Sequence, residues 1–463
     1  MNTLVRSHAE EKKGIKSAIA LSTICLGYFM VILDTTIVNV ALPSIQHELN
    51  ATVTGLQWAV AGYNLVFASL LLTAGALGDR VGSKKVFSWG LVLFALASSA
   101  CGAAPNLWIL QGARVLQGAG AALLVPNSLA LLNHTFSTQR ERARAIGFWG
   151  SIGGIGAICG PVLGGFLIHV LSWRYIFWVN VPVAAVALLL TLRYVVSAPR
   201  LAQRELDLGA QFTGIIALAA LTLVFIQGSA WGWLSWPILL SDAAFVLFLV
   251  SFLIIERRAA SPMLPLKLFS VPTFSAANMV GFLTNLGFYG QMFVISFYFQ
   301  QARGYSPLLT GFALLPETGA VLVASLLSGR VSGRVGPYWP MVIGQATGCV
   351  GLLMLVVVQP STSFLILSIM LLAIGFGMAF TMPAMTTAVI ESAPADRSGI
   401  ASAVLNSGRQ MGSVLGVAIL GSLVGQKMIS IPGMHVSMLL AGVAFLCGCI
   451  LALIFVDRKL KKA

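Results

Sequence analysis

Apolar stretches of about 20 residues, one hydrocarbon thickness in helical form, recur along the whole of this 463-residue chain. The gaps between them are short loops, too short to hold a soluble domain. A bilayer core offers no hydrogen-bond partner to an exposed backbone, so such stretches must satisfy their own N–H and C=O groups as helices. Composition agrees: 58% of residues are apolar and 9% charged, where a soluble protein carries roughly 25% charged residues. The expected fold class is therefore an all-α polytopic membrane protein. A net charge of +14 could suggest nucleic acid, but the basic residues are scattered singly and in twos through loops, as orientation signals are.

The apolar pattern predicts fourteen spans. Six run over 17–43, 56–78, 86–104, 107–131, 145–168 and 174–196; two cover 209–229 and 236–256; six more cover 273–300, 307–328, 338–358, 363–390, 399–423 and 436–456. With both termini on the cytoplasmic side, twenty-three of the twenty-eight Lys and Arg residues fall inside. Arg174, Arg303 and Lys427 fall outside, and Arg114 and Arg409 lie within spans. That bias predicts a multi-pass chain of the cytoplasmic membrane with an even helix count. The basic amino-terminal segment precedes a stretch too long for a signal-peptide core, so it reads as a retained first helix. All six cysteines fall in predicted spans without metal-like spacing and read as small packing residues.

An internal repeat sets the architecture. Gly75-Ala76-Leu77-Gly78-Asp79-Arg80-Val81-Gly82 follows the second span, and Gly329-Arg330-Val331-Ser332-Gly333-Arg334-Val335-Gly336 follows the tenth. Gly118, Gly120 and Pro126 match Gly375, Gly377 and Pro383; Gly156, Gly160 and Gly164 match Gly408, Gly412 and Gly416. One near-constant offset over three separate features implies two related six-helix halves, residues 1–196 and 263–463, with two inserted helices in 197–262. Duplicated halves around a midplane site are a recurring transporter design. Asp34 stands inside the first, otherwise almost uncharged span, where a carboxylate costs about 2.5–3.5 kcal/mol on insertion scales and asks for a job such as proton or cation handling.

These residues resemble the major facilitator superfamily and, within it, the fourteen-helix drug:proton antiporters of the QacA/EmrB type. Gly75 to Lys85 is similar to the loop signature between helices two and three; Leu110 to Gly118 resembles the fourth-helix signature with its buried arginine. Gly156-x-x-x-Gly160-Pro161-x-x-Gly164-Gly165 resembles the fifth-helix signature associated with antiporters, and Leu33 to Pro43 the first-helix signature of the fourteen-helix branch. The resemblance implies a major facilitator fold of two six-helix bundles plus two inserted helices.

Asp34 and Arg114 are the expected proton-coupling pair. At ~1.5 Å per residue they lie about 13 and 10 Å below the outer surface, close enough in depth to pair. Desolvation favours the protonated carboxyl and an approaching arginine the ionised one, so alternation between the two environments would load and release a proton. The alternative is a static structural pair. For Gly75, Gly78, Asp79, Arg80 and Gly82 the resemblance implies a cytoplasmic latch, one-sided because Gly333 replaces the aspartate in the second copy; simple orientation by charge is the other reading. Gly156, Gly160 and Gly164 share one helical face, where Pro161 can loosen the helix; tight packing is one role, and a smooth surface on which the halves rock is the other.

Glu317 and Arg409 both fall near the midplane: either they pair, or Glu317 is free to attract a cationic substrate. Tyr63, Asn64, Trp149, Phe288, Tyr289, Gln291, Phe293 and Asn406 offer a pocket whose rings could hold planar cations, although helix packing suits each of them singly. No histidine lies deep in a span, Gly154-x-Gly156 lacks the third glycine of a dinucleotide loop, and no phosphate-binding Gly-x-x-x-x-Gly-Lys-Ser/Thr loop occurs.

The expected function is a proton-coupled antiporter exporting amphipathic, cationic compounds; the alternatives are an exporter of one metabolite, antibiotic or lipid-like molecule, and a non-transporting sensor or intramembrane enzyme. It is expected to act as a monomer among membrane lipids, with no metal, no nucleic acid and no cofactor beyond the proton. A periplasmic adaptor is left open.

Overall fold

The computed structural model describes residues 2–136, 138–197, 208–259, 264, 266–394, 398–425 and 428–458, without the side chains of 2–16, 72, 139, 140, 143, 208, 398 and 399. Arg200, Arg204, Arg397, Lys427, Lys459, Lys461 and Lys462, used above for orientation, lie outside the described residues.

The described chain is helical almost throughout. α1 (Asn2–Glu48), α2 (Val53–Val81), α3 (Ser83–Gly102), α4 (Leu107–Thr135), α5 (Gln139–Val170), a single turn α6 (Tyr175–Trp178) and α7 (Asn180–Tyr194) come first. α8 (Leu208–Trp231) and α9 (Trp236–Arg258) follow. The remainder is α10 (Pro272–Phe297), α11 (Pro307–Ala313), α12 (Leu315–Val335), α13 (Tyr338–Met354), α14 (Phe364–Glu391), α15 (Ser398–Ser422) and α16 (Ile431–Phe455). Among the described residues, twelve spans are long and apolar enough to cross a membrane, thirteen if the bent α2 counts as one; its parts Val53–Leu71 and Thr73–Val81 are inclined at 49°. The expectation of fourteen is therefore met in part. α15 is absent from the twelve because Asn406, Ser407, Arg409 and Gln410 cluster in its middle.

Local chemistry explains where helices start, stop and break. Thr52, Asn106, Thr138, Ser306 and Ser430 each cap a helix with a side-chain oxygen, satisfying an N–H that the first turn leaves orphaned. The α2–α3 turn needs Gly82 at φ 110°, and the end of α12 needs Gly336 at φ 82°; both are open to glycine and strained for other residues. That shared requirement is why both copies of the repeat close on glycine. The tenth predicted span is divided at Leu314 into α11 and α12, since Pro316 cannot donate to the carbonyl of Phe312. The first continues through Pro43 to Glu48, because a proline removes only one ladder bond.

Helices α1–α7 pack on one another, as do α10–α16. The repeated glycines of α4 and α14 act alike. A Cβ on Gly118 would meet the Tyr63 carbonyl and one on Gly120 the backbone of Phe94; on Gly375 it would meet the Glu317 carbonyl and on Gly377 the backbone of Gly348. Thus α4 lies tight against α2 and α3 as α14 does against α12 and α13. α8 packs on both α2 and α15, with Leu218 and Ile226 in a cluster with Ala61, Leu65, Val414 and Ala418. α9 touches chiefly α8 and presents Leu247, Val250 and Ile254 outward.

The two sets meet at the end carrying Glu48. There Gln57 on α2 donates to the Val417 and Ala418 carbonyls (2.8 and 2.9 Å), Gln300 to the Val40 carbonyl (2.8 Å) and Gln301 to Gln46 Oε1 (2.7 Å). Above this seal lies a cavity of about 1010 Å³ lined by residues including His47, Asn50, Trp173 and Tyr305. Toward the opposite end, Cβ positions at Gly147, Gly150, Gly319, Gly329, Gly333 and Gly408 meet nothing within 4 Å. These hydrogen bonds join the sets at one end, and toward the other those glycine faces are open.

Candidate functional site

Asp34 and Arg114, 0% and 2% exposed, are brought together: Arg114 Nη1 donates to Asp34 Oδ2 at 2.5 Å. Gln117, one turn along α4, donates to Asp34 Oδ1 at 2.8 Å, and Asn180 of α7 donates to the same oxygen at 3.2 Å. Arg114 also donates from Nη1 to Gln117 Oε1 (2.8 Å) and from Nε to the Ala59 carbonyl (3.3 Å). Its guanidinium carbon stands 4.1 Å from the centre of the Tyr63 ring. Behind them Ser98 accepts from Gln117 (3.3 Å) and Asn180 (3.2 Å) and donates to the Phe177 carbonyl (2.8 Å).

Asp34 is met by hydrogen-bond donors on both oxygens. Three donors converge on two oxygens, and a carboxylate is acceptor-only when charged. A buried pair survives only when good geometry and extra hydrogen bonds offset the several kcal/mol of desolvation per ion; Gln117 and Asn180 supply those bonds. The close approach of α2 and α4 at Gly118 sets Tyr63 and Ala59 against Arg114. All of these residues belong to α1–α7.

The space between the two sets has its own lining. Tyr28 of α1 stacks on Trp149 of α5, ring centres 3.7 Å apart, and Trp149 Nε1 donates to Ser128 Oγ at 3.1 Å. Arg409 donates to Asn406 Oδ1 at 3.2 Å and approaches Met382 Sδ at 3.1 Å, with Tyr289 and Tyr28 within Coulombic reach. Tyr28, Trp149, Tyr289, Met382, Asn406 and Arg409 are each half-buried. Together they place aromatic, thioether, amide and guanidinium groups from both sets around one region.

Other expected pocket residues are placed elsewhere. Tyr63 is buried under Arg114 and belongs to the carboxylate network; Asn64 is buried on α2. Phe288 is buried edge-on to Tyr289, and Phe293 sits in the core against Phe297. Glu317 and Arg409 do not pair: Glu317 instead accepts from Gln291 Nε2 at 3.5 Å. The physical reason is register, since equal depth on two helices does not make their side chains face each other.

The glycines expected at the rocking surface face inward. Cβ atoms on Gly156, Gly160 and Gly164 would meet Phe29, Thr36 and Ile37 of α1 in the same set. The contact between sets falls to their neighbours: Gly165 against the Pro307 carbonyl, and Gly311 against the Pro161 carbonyl. At the Arg80 end, Gly78 packs on Asn127, which donates to the Ala74 carbonyl at 3.0 Å; Gly75 lies against Pro126, Asp79 is half-buried and Arg80 exposed.

Residues 24–417 and 279–463 match the family model described as Major Facilitator Superfamily. The chain belongs to that superfamily. It is 36% identical over 437 residues to the methylenomycin A resistance protein of Streptomyces coelicolor, covering 94% of this chain and 92% of that one. It is 38% identical over 397 residues to the multidrug resistance protein Stp of Mycobacterium tuberculosis, covering 86% and 74%. Its fold matches a bacterial homologue of the human lysosomal transporter Spinster with a TM-score of 0.67 at 15% identity, over 97% and 99% of the two chains. This major facilitator protein is a multi-pass membrane transporter rather than an enzyme.

Sequence reasoning missed Gln117, Asn180 and Ser98. The spacing of Gln117 three residues after Arg114 marks a shared helical face, and Asn180 is a polar residue inside a predicted span; both were available signals. Tyr28 and Met382 gave none, because an aromatic or thioether side chain in an apolar span reads as packing.

Proposed function

We propose that the chain is a proton-coupled antiporter of the fourteen-helix drug-export branch, expelling amphipathic cationic compounds across the cytoplasmic membrane by alternating access. The observation that carries this reading is the buried Asp34–Arg114 pair with its Gln117 and Asn180 donors. A carboxylate held ionised by an arginine in one conformation can take a proton when the arginine withdraws. The count of fourteen adds the bent α2 and α15 to the twelve apolar spans; α15, 25 residues long, reaches about 37 Å at 1.5 Å per residue.

Positive-inside distribution puts the Arg80 end in the cytoplasm and the Glu48 end outside. The outer end is then closed and the cytoplasmic side parted, with Asp34 ionised, as expected after a proton has been delivered inward. A cationic compound would be received between the halves by Tyr28, Trp149 and Tyr289, whose ring faces attract cations. Outward reopening would then part the Gln57, Gln300 and Gln301 bonds, with Pro161 and Gly165 lifting from Gly311 and Pro307.

An exporter dedicated to one antibiotic is the second reading, favoured by the relative named for methylenomycin A alone. Dye efflux from proteoliposomes under an imposed pH gradient tests the proposal. Efflux is expected from the unaltered chain and its loss from Asp34→Asn; full gradient-driven efflux by that variant would refute the coupling role, and movement of a single antibiotic without dyes would favour the second reading.

A further inference from the structure

Glu317 is an acid without a counter-charge. It lies in the first turn of α12, fully buried at 0% exposure. Its Oε2 accepts only from Gln291 Nε2, at 3.5 Å, and its Oε1 has no partner. Gln291 Oε1 is likewise buried and unpartnered. Two acceptors share one place, and the donor they need is missing.

Among the described residues, the surrounding helices bring no cation to it. α14 presses Gly375 against the Glu317 carbonyl and carries one titratable group, Glu391, at its far end. α10 offers Tyr289, α13 Tyr338 and Cys349, and α11 nothing titratable. α5 offers Cys159, with its arginines in the first two turns and His169 in the last. Arg409 on α15 is turned to Asn406 and Met382. A helix N-terminus favours a carboxylate by about 0.3–1 kcal/mol, up to ~2 in partly buried geometry. That is small beside the several kcal/mol of taking an unpaired ion out of water. A neutral carboxylic acid avoids the larger cost and brings one O–H donor.

We propose that Glu317, with Gln291 as hydrogen-bonding partner, is a second proton-binding site, in the half opposite Asp34, and that it holds its proton in the conformation sealed at the Glu48 end. The proton on Glu317 supplies the O–H that Gln291 Oε1 lacks. The two halves then hold opposite protonation states at once: Asp34 ionised against Arg114, Glu317 neutral against an amide. The position has a structural logic, because Glu317 stands against Gly375 where, in the first half, Tyr63 stands against Gly118. The use of this proton in export rests on the antiport reading; its presence does not.

Infrared difference spectroscopy of the full chain in lipid vesicles, neutral against alkaline pH, decides it. The unaltered chain is expected to show a protonated-carboxyl C=O band at neutral pH that survives in Asp34→Asn, shifts in Gln291→Leu and vanishes in Glu317→Gln. No such band in the unaltered chain, or its persistence in Glu317→Gln, overturns the proposal. In proteoliposomes, Glu317→Gln is expected to move one proton fewer per dye molecule exported; an unchanged ratio overturns the use of this proton in export, and the infrared band decides its presence. Lack of any pH-driven export by the unaltered chain would sink the antiport reading alone, since the band is read without transport.

Discussion

Replacing Gly165 by alanine should open the seal without unfolding either half. The added Cβ would sit 2.5 Å from the Pro307 carbonyl oxygen and 2.9 Å from Leu308 Cα. Both are backbone atoms of the opposite half, so no side chain can swing aside, and the clash is relieved by separating the halves. Overpacking of this kind costs typically 1–3 kcal/mol, and a bias of that size moves a two-state equilibrium about 5–150-fold. Electron–electron distance measurement between spin labels at Leu171→Cys and Met428→Cys, in a background with the six native cysteines replaced, reads the outer separation. Both positions are exposed, on opposite halves at the sealed end. A growing long-distance population is expected in Gly165→Ala. Gly160→Ala is the contrast: its Cβ would meet Thr36 Oγ1 and, at 3.0 Å, the Ile37 nitrogen within one half, so it should lower thermal stability. Gly150→Ala meets nothing within 4 Å and should do neither. An unchanged distance distribution in Gly165→Ala would refute the assignment of the seal.

Two further substitutions probe separate parts of the argument. Gln57→Leu removes two hydrogen bonds to the opposite half; at about 0.5–1.5 kcal/mol each, the same label pair should report loosening, and protection of the outer end equal to the parent would count against the amide seal. Gly82→Ala forces a non-glycine residue to φ 110°, a sparsely populated region costing about 1–3 kcal/mol, so the melting temperature of the purified chain should fall although no contact is lost; an unchanged melting temperature would speak against strain at this turn.

Much of the site was readable from residue types, and its failures share a cause. An aspartate and an arginine in apolar spans announce themselves, because each must find a partner or pay desolvation. Depth counted along helices placed Asp34 and Arg114 at one level, and they meet. The same counting left Glu317 and Arg409 either paired or apart, since it fixes height and not azimuth, and the structure has them apart. The glycine face of α5 was recognised as smooth, yet a glycine stripe looks alike whether its partner is α1 in the same half or α11 in the other.

The chain by itself determined that it must be helical throughout and live in a bilayer, since its apolar length leaves no other way to satisfy the backbone. It also carried the matching glycines Gly82 and Gly336, because both turns need a positive φ. Only the tertiary structure decided who faces whom: Gln117 and Asn180 converging on Asp34, Gln291 instead of Arg409 beside Glu317, and Gly165 at the seam while Gly164 faces inward. Those choices depend on how helices rotate and cross when packed, and that rotation is set by the sum of many weak contacts rather than by any one residue.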